Sequence, residues 1–102
     1  MSELTGKQRQ RLRGLAHRLE PIVQVGKGGL SPEAVAQVDR ALDAHELVKV
    51  RFVAGKEEKR ELAAELAVRT SAALAGTVGH VAILFRAQAD PEKRRIRLDP
   101  SS

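Results

Sequence analysis

The stretch Ile22-Val23-Gln24-Val25-Gly26-Lys27-Gly28-Gly29-Leu30-Ser31-Pro32-Glu33 decides how this chain is read. Ile22 to Val25 follow a proline, carry three β-branched side chains and predict a short buried strand. Gly26-Lys27-Gly28-Gly29 then forms a loop. Ser31-Pro32-Glu33 opens a helix in the expected manner, with serine at the N-cap, proline at the first helical position and an acid in the first turn. A loop running from a strand end to a helix N-terminus suits an anion such as phosphate, because backbone amides and the positive end of the helix dipole converge there. Glycines let such a loop reach unusual dihedrals and let a ligand approach the backbone, while Lys27 adds a mobile charge. A tight turn is the commonplace reading of a GxxG tetrad. The strand before, the capped helix after and the lysine inside favour the anion.

Upstream, Thr5 is a fair N-cap, and Leu12, Leu15, Ala16 and Leu19 recur at helical spacing. Lys7, Arg11 and Arg18 fall to one side of that stripe, with Arg9 and Arg13 on the other, and Pro21 ends the helix. Like charges four residues apart cost a few tenths of a kcal/mol each. Accepting both Lys7/Arg11 and Arg9/Arg13 points to an outside anionic partner; a merely solvated basic helix is the alternative. Downstream, Val35, Val38 and Leu42 give the second helix its core stripe until about His45. Val48, Val50 and Phe52 alternate with Lys49 and Arg51, the period of a strand with one buried face. Gly55 breaks it. A third helix runs from about Glu57 to Thr70 with Leu62, Ala63, Leu66 and Ala67 inward. Two strands, Leu74–Val78 and Val81–Arg86, close the domain around Gly79-His80.

The order α-β-α-β-α-β-β predicts an α/β fold with a four-stranded mixed sheet backed by helices. Residues 1–86 form one domain. Residues 87–102, with Pro91, Pro100 and the basic Lys93, Arg94, Arg95 and Arg97, are expected to be an extended or loosely ordered tail.

A length of 102 residues supports one modest core. The net charge of +5 makes polyanions plausible partners, whether nucleic acid or an anionic membrane surface. The charge is uneven. Basic residues crowd the first helix and the tail, while Asp39, Asp43, Glu46, Glu57, Glu58, Glu61 and Glu65 collect in the middle, which suggests one basic face. Without cysteine there is no disulfide, thiolate metal site or cysteine nucleophile. No signal-like segment opens the chain, and no apolar run approaches the ~20 residues that span a bilayer, so a soluble cytoplasmic protein is expected.

Other phosphate motifs fail on spacing. GxGxxG begins at Gly26 and Gly28 but meets Ser31 at its last glycine, and no GK[ST] ending exists. Gly76-Thr77-Val78-Gly79 also fits GxxG, yet it leads into a hairpin. Enzyme readings fail too. His45-Glu46-Leu47-Val48-Lys49 puts lysine where the HExxH zinc motif needs histidine. His17, His45 and His80 are scattered near element ends, and no nucleophile–base pair can be argued. No catalytic residue, metal or cofactor is expected. Phe52 and Phe85, the two aromatic residues, fit core positions. Stacking modes of RNA recognition therefore lack a platform, leaving phosphates, sugars and shape.

Taken together, Lys7-Gln8-Arg9 with Leu12, Gly14-Leu15-Ala16-His17, Pro21, Val23, Gly26-Lys27-Gly28-Gly29-Leu30, His45-Glu46-Leu47-Val48-Lys49-Val50, Val78-Gly79-His80 and Leu84-Phe85-Arg86 resemble the CRM (chloroplast RNA splicing and ribosome maturation) domain. The likeness is to its stand-alone bacterial YhbY type and covers about Leu4 to Arg86. It implies a fold similar to the C-terminal domain of translation initiation factor three, with a GxxG loop like that of KH domains. It also implies association with precursors of the large ribosomal subunit. Phe85 departs from relatives that carry tyrosine there.

The expectation is a monomeric, non-enzymatic RNA-binding protein of ribosome assembly with large-subunit rRNA as partner. The expected RNA-binding residues are Gly26, Lys27, Gly28, Gly29, Lys7, Arg9, Arg11, Arg13 and Arg18. Two alternatives stand beside it: a ribosome-associated protein–protein adaptor using the acidic middle, and a DNA-binding module.

Overall fold

A computed structural model describes residues 4–26, 28–53 and 55–98 of the chain. The first helix, α1 (Gly6–Ala16), starts at a capping box. Thr5 Oγ1 accepts the Gln8 N–H at 3.1 Å, and the Thr5 N–H donates to Gln8 Oε1 at 2.9 Å. Strand β1 (Pro21–Val25) leads to α2 (Pro32–His45), where Ser31 Oγ accepts the Ala34 N–H at 3.1 Å and proline takes the first position. Then come β2 (Leu47–Phe52), α3 (Lys56–Arg69), β3 (Ala73–Val78) and β4 (Val81–Phe85). The hairpin between the last two strands turns at Gly79, whose φ of 58° lies where side chains are disfavoured. No helix among the described residues is long and apolar enough to cross a membrane.

The four strands lie in the order β1-β2-β4-β3, with β1 parallel to β2 and the other neighbours antiparallel. The sheet is therefore mixed, as expected, but its last strand is inserted second from one edge. Alternation along the strands builds two cores. Val48, Val50 and Phe52 point with Leu84 and Val25 toward Val38, Leu42 and Leu66 of α2 and α3. Leu47, Ile83, Phe85 and Ala75 point the other way, against Leu12 and Ala16 of α1. Phe52 and Phe85 are both buried, one on each face. Each fully buried large apolar side chain contributes about 1.5–3 kcal/mol.

Two expectations are corrected. The first helix stops at Ala16, short of Pro21, and residues 17–20 turn back toward the sheet. The His17 N–H donates to the Gly14 carbonyl at 3.3 Å and the Leu19 N–H to that of Ala16 at 2.9 Å. Lys49 Nζ donates to the Leu19 carbonyl at 3.0 Å and fixes this turn to β2. Leu15 and Leu19, read as inward, are consequently 43% and 38% exposed, and Arg18 is not on the helix.

The second correction concerns the tail. It is extended, but it is tied down. Glu46 ends α2 with φ 65° and is fully buried. Its carboxylate accepts the Gln88 N–H at 2.7 Å on one oxygen, and the Arg95 and Ile96 N–H groups at 2.7 and 2.9 Å on the other. A short 3₁₀ turn (Pro91–Lys93), capped by Asp90, lies between these contacts. Ile96 and Leu98 then pack on the α1-side core. Burial opposes ionisation of Glu46, but the three amide donors and the nearby Arg94 charge outweigh it and hold its pKa below the usual glutamate value.

Candidate nucleic-acid interface

The GxxG loop leaves the end of β1 and closes on itself, with the Gly29 N–H donating to the Gly26 carbonyl at 3.0 Å. Gly29 has φ 82°, and a Cβ there would lie 3.8 Å from Leu62; its conformation, more than its space, calls for glycine. Gly26 and Gly28 face open space. Lys27 lies outside the described residues. The start of α2 offers fewer amides than a bare helix end. Pro32 has no N–H, and those of Ala34 and Val35 go to the side-chain and backbone oxygens of Ser31. Gly28 is exposed in the loop that precedes this helix start, with the dipole of α2 behind it.

Two hydrogen bonds gather three segments at this end of the sheet. The Val53 N–H donates to the Val25 carbonyl beside the loop, and the Phe52 N–H to His80 in the β3–β4 turn, both at 2.8 Å. Gly76-Thr77-Val78-Gly79 forms the end of β3 and this turn, as its sequence context indicated.

The cations of α1 divide as their spacing dictates. Arg9 and Arg13 flank the buried Leu12–Ala16 side, and Lys7 and Arg11 lie on the other flank. Arg13 reaches back over β3: its Cδ is 2.8 Å from where a Cβ on Gly76 would stand. Gly76 is thus a site of close approach, sitting where the β3–β4 register shifts. Arg18 lies in the turn before β1, whereas the loop follows β1, so the five-residue strand separates the two. Arg13 over the β3 edge and the loop after β1 thus belong to opposite edges of the sheet, and the expected residues do not form one cluster around the glycines.

Among the described residues, none of Lys7, Arg9, Arg11, Arg13 and Arg18 forms an ion pair or a side-chain hydrogen bond. Other cations are committed. Arg86 spans from β4 to α2, donating to Asp39 Oδ1 at 2.6 Å, Asp43 Oδ1 at 2.8 Å and the Thr70 carbonyl at 2.6 Å. Arg69 pairs with Glu65 at 2.7 Å, and Lys59 donates to the Gly79 carbonyl. Two of the acids in the chain's middle thus hold Arg86.

Sequence reasoning overlooked Arg51. It is exposed on the α1 side of β2, opposite Gln24 of β1 and Val81 of β4. With Gln24, Val53 and His80 it lines a shallow cleft next to the loop-bearing strand. The signal was available, since Arg51 occupies the strand phase opposite to Val50 and Phe52. No group of three or more metal-ligating side chains occurs among the described residues.

Comparison with known proteins accords with this geometry. A family model for the CRS1/YhbY (CRM) domain matches residues 4–86. A Haemophilus influenzae protein named "RNA-binding protein" is 41% identical over 87 residues, covering 84% of this chain and 88% of its own length. The Bacillus subtilis "Probable RNA-binding protein YqeI" is 43% identical over 84 residues, covering 81% of this chain and 88% of its own. The solution structure of a hypothetical protein from Staphylococcus aureus matches with a TM-score of 0.79 at 35% identity, over 92% of this chain and 99% of that one. With a family model matching residues 4–86 and a shared fold, the chain belongs to the CRS1/YhbY (CRM) domain family.

Proposed function

We propose that this protein binds structured RNA through its backbone, gripping phosphates with the Gly26–Gly29 loop and with the cations of α1, and that it acts on large-subunit rRNA during ribosome assembly. The observation that carries the reading is a contrast between two sets of cations. Arg86 and Arg69 are matched to acids, whereas the five cations from Lys7 to Arg18 have no partner among the described residues. They lie on the chain that leads into an open glycine loop at a helix N-terminus. Unmatched charge of one sign beside backbone amides suits a polyanion. The names of the relatives support RNA over DNA, and the ribosomal part of the reading rests on the family resemblance.

The loop provides the test. Gly28 faces open space, so Gly28→Asp puts a negative charge in the phosphate site without crowding the fold. It is expected to abolish saturable binding to folded RNA in fluorescence anisotropy while the melting temperature holds. Lys27→Ala, which keeps the amides, is expected to weaken binding only several-fold. A folded Gly28→Asp variant with unchanged affinity would remove the loop from the interface. Absence of saturable RNA binding by the wild type would favour a protein adaptor.

A further inference from the structure

We propose that the docked tail forms a second RNA contact, in which Arg94 and Arg97 hold a backbone phosphate over an apolar groove at the end of the sheet opposite the glycine loop. This inference rests on the RNA-binding reading and extends it to residues beyond those the family model matches.

The groove has a volume of about 620 Å³, within the range of sites that take small ligands. Its floor is apolar, with Leu4, Phe85, Ile96 and Leu98, and its lining contains no acid. Arg86 also borders it, but Asp39 and Asp43 occupy that guanidinium. Arg94 uses Nε on the Gln88 carbonyl at 2.8 Å, which leaves its terminal amino groups for a ligand. Arg97 is exposed and has no partner among the described residues. Two guanidinium groups over an apolar floor, Arg97 without a partner among the described residues and Arg94 with the buried Glu46 charge nearby but no ion pair, fit a nucleotide unit, with phosphate at the rim and sugar and base below.

Position supports the same occupant. Strand β3 starts beside the groove at Ala73 and points the same way as β1, which ends at the glycine loop. The two sites therefore lie at opposite ends of the sheet, with Arg13 of α1 placed over Gly76 of β3 between those ends.

The tail is also held in a way that a solubilising extension does not need. Glu46 spends a positive φ and a buried carboxylate on the amides of Gln88, Arg95 and Ile96, and these three bonds bracket Arg94 and adjoin Arg97. Fixing the backbone in advance removes ordering cost from binding.

The test uses the full chain in three forms. Arg94→Gln with Arg97→Gln alters exposed side chains and is expected to keep the fold, with a small drop in melting temperature from the lost Arg94–Gln88 hydrogen bond. Losing this phosphate contact should weaken affinity for structured RNA several-fold near 0.1 M salt and reduce the salt slope by about 0.7–0.9. Glu46→Gln is expected to speed hydrogen exchange at Gln88, Arg95 and Ile96 and to weaken RNA binding in the same direction. If the arginine double variant binds with wild-type affinity and slope, the groove is not an RNA site, although the wild type still binds. If tail amides in Glu46→Gln lose protection while affinity holds, the latch serves the core alone and the proposal fails. Loss of polyglutamate binding with RNA binding intact in the double variant would assign the groove to an acidic protein and overturn it. A wild type that binds no RNA would instead defeat the broader reading.

Discussion

Gly28 and Gly29 are neighbours with different obligations. Gly29 sits at φ 82°, where an L side chain costs about 1–2 kcal/mol; a Cβ on Gly28 would face open space. Gly29→Ala is therefore expected to lower the melting temperature by roughly 4–16 °C, and Gly28→Ala to leave it near wild type, as calorimetry can check. Glu46 makes a pH-dependent prediction. Its folded pKa is depressed, so the carboxylate's contribution is complete above the ordinary glutamate value of 4.5 and is lost as pH falls below it. Melts of wild type and Glu46→Gln should thus differ most near neutrality and converge in acid. A gap that widened in acid would mean that the carboxylate does not stabilise the fold as an anion.

Among the elements, α1 has the most exposed role. Arg9 and Arg13 flank its buried side without entering it, so Arg9→Glu with Arg13→Glu is expected to shift stability by only about 0.5 kcal/mol each while weakening all RNAs alike. Titrations against several unrelated folded RNAs check this; selective loss for one sequence would point to base readout instead. Much of this was legible beforehand, for identifiable reasons. Thr5 and Ser31-Pro32 mark helix starts by local hydrogen-bond chemistry, and the phase of Val48, Val50 and Phe52 reports a buried face without tertiary information. The end of α1 was not legible. Leu15 and Leu19 continue the helical spacing, and the turn at His17 is held by Lys49, thirty residues away from Leu19. Nor could Glu46 be recognised as a tail anchor, because its partners are backbone amides of residues 88–96 and carry no side-chain signature. The loop's glycines were visible as a motif, whereas the partnerless state of the α1 cations depends on where the acids went, and that is a property of the fold.

At the scale of the whole molecule, the unmatched cations amount to a measurable quantity. If the loop and α1 make about four to six phosphate contacts, log K for RNA should fall against log salt with a slope of roughly −3 to −5. Binding isotherms at stepped potassium chloride concentrations would read it directly. A slope near zero would mean that the unmatched cations are only solvated. The strand order has a different kind of consequence, one that concerns how the chain comes into being. Strand β4 is the last made, yet it lies between β2 and β3 and supplies the sole sheet neighbour of β3. While the polypeptide is still emerging from the amino end, the sheet has a gap where residues 81–85 belong. The inner faces of Val48, Val50 and Phe52 lack Ala82 and Leu84 until then. The amides that satisfy Glu46 arrive later still. Closure of this core therefore waits for nearly the whole polypeptide to be synthesised.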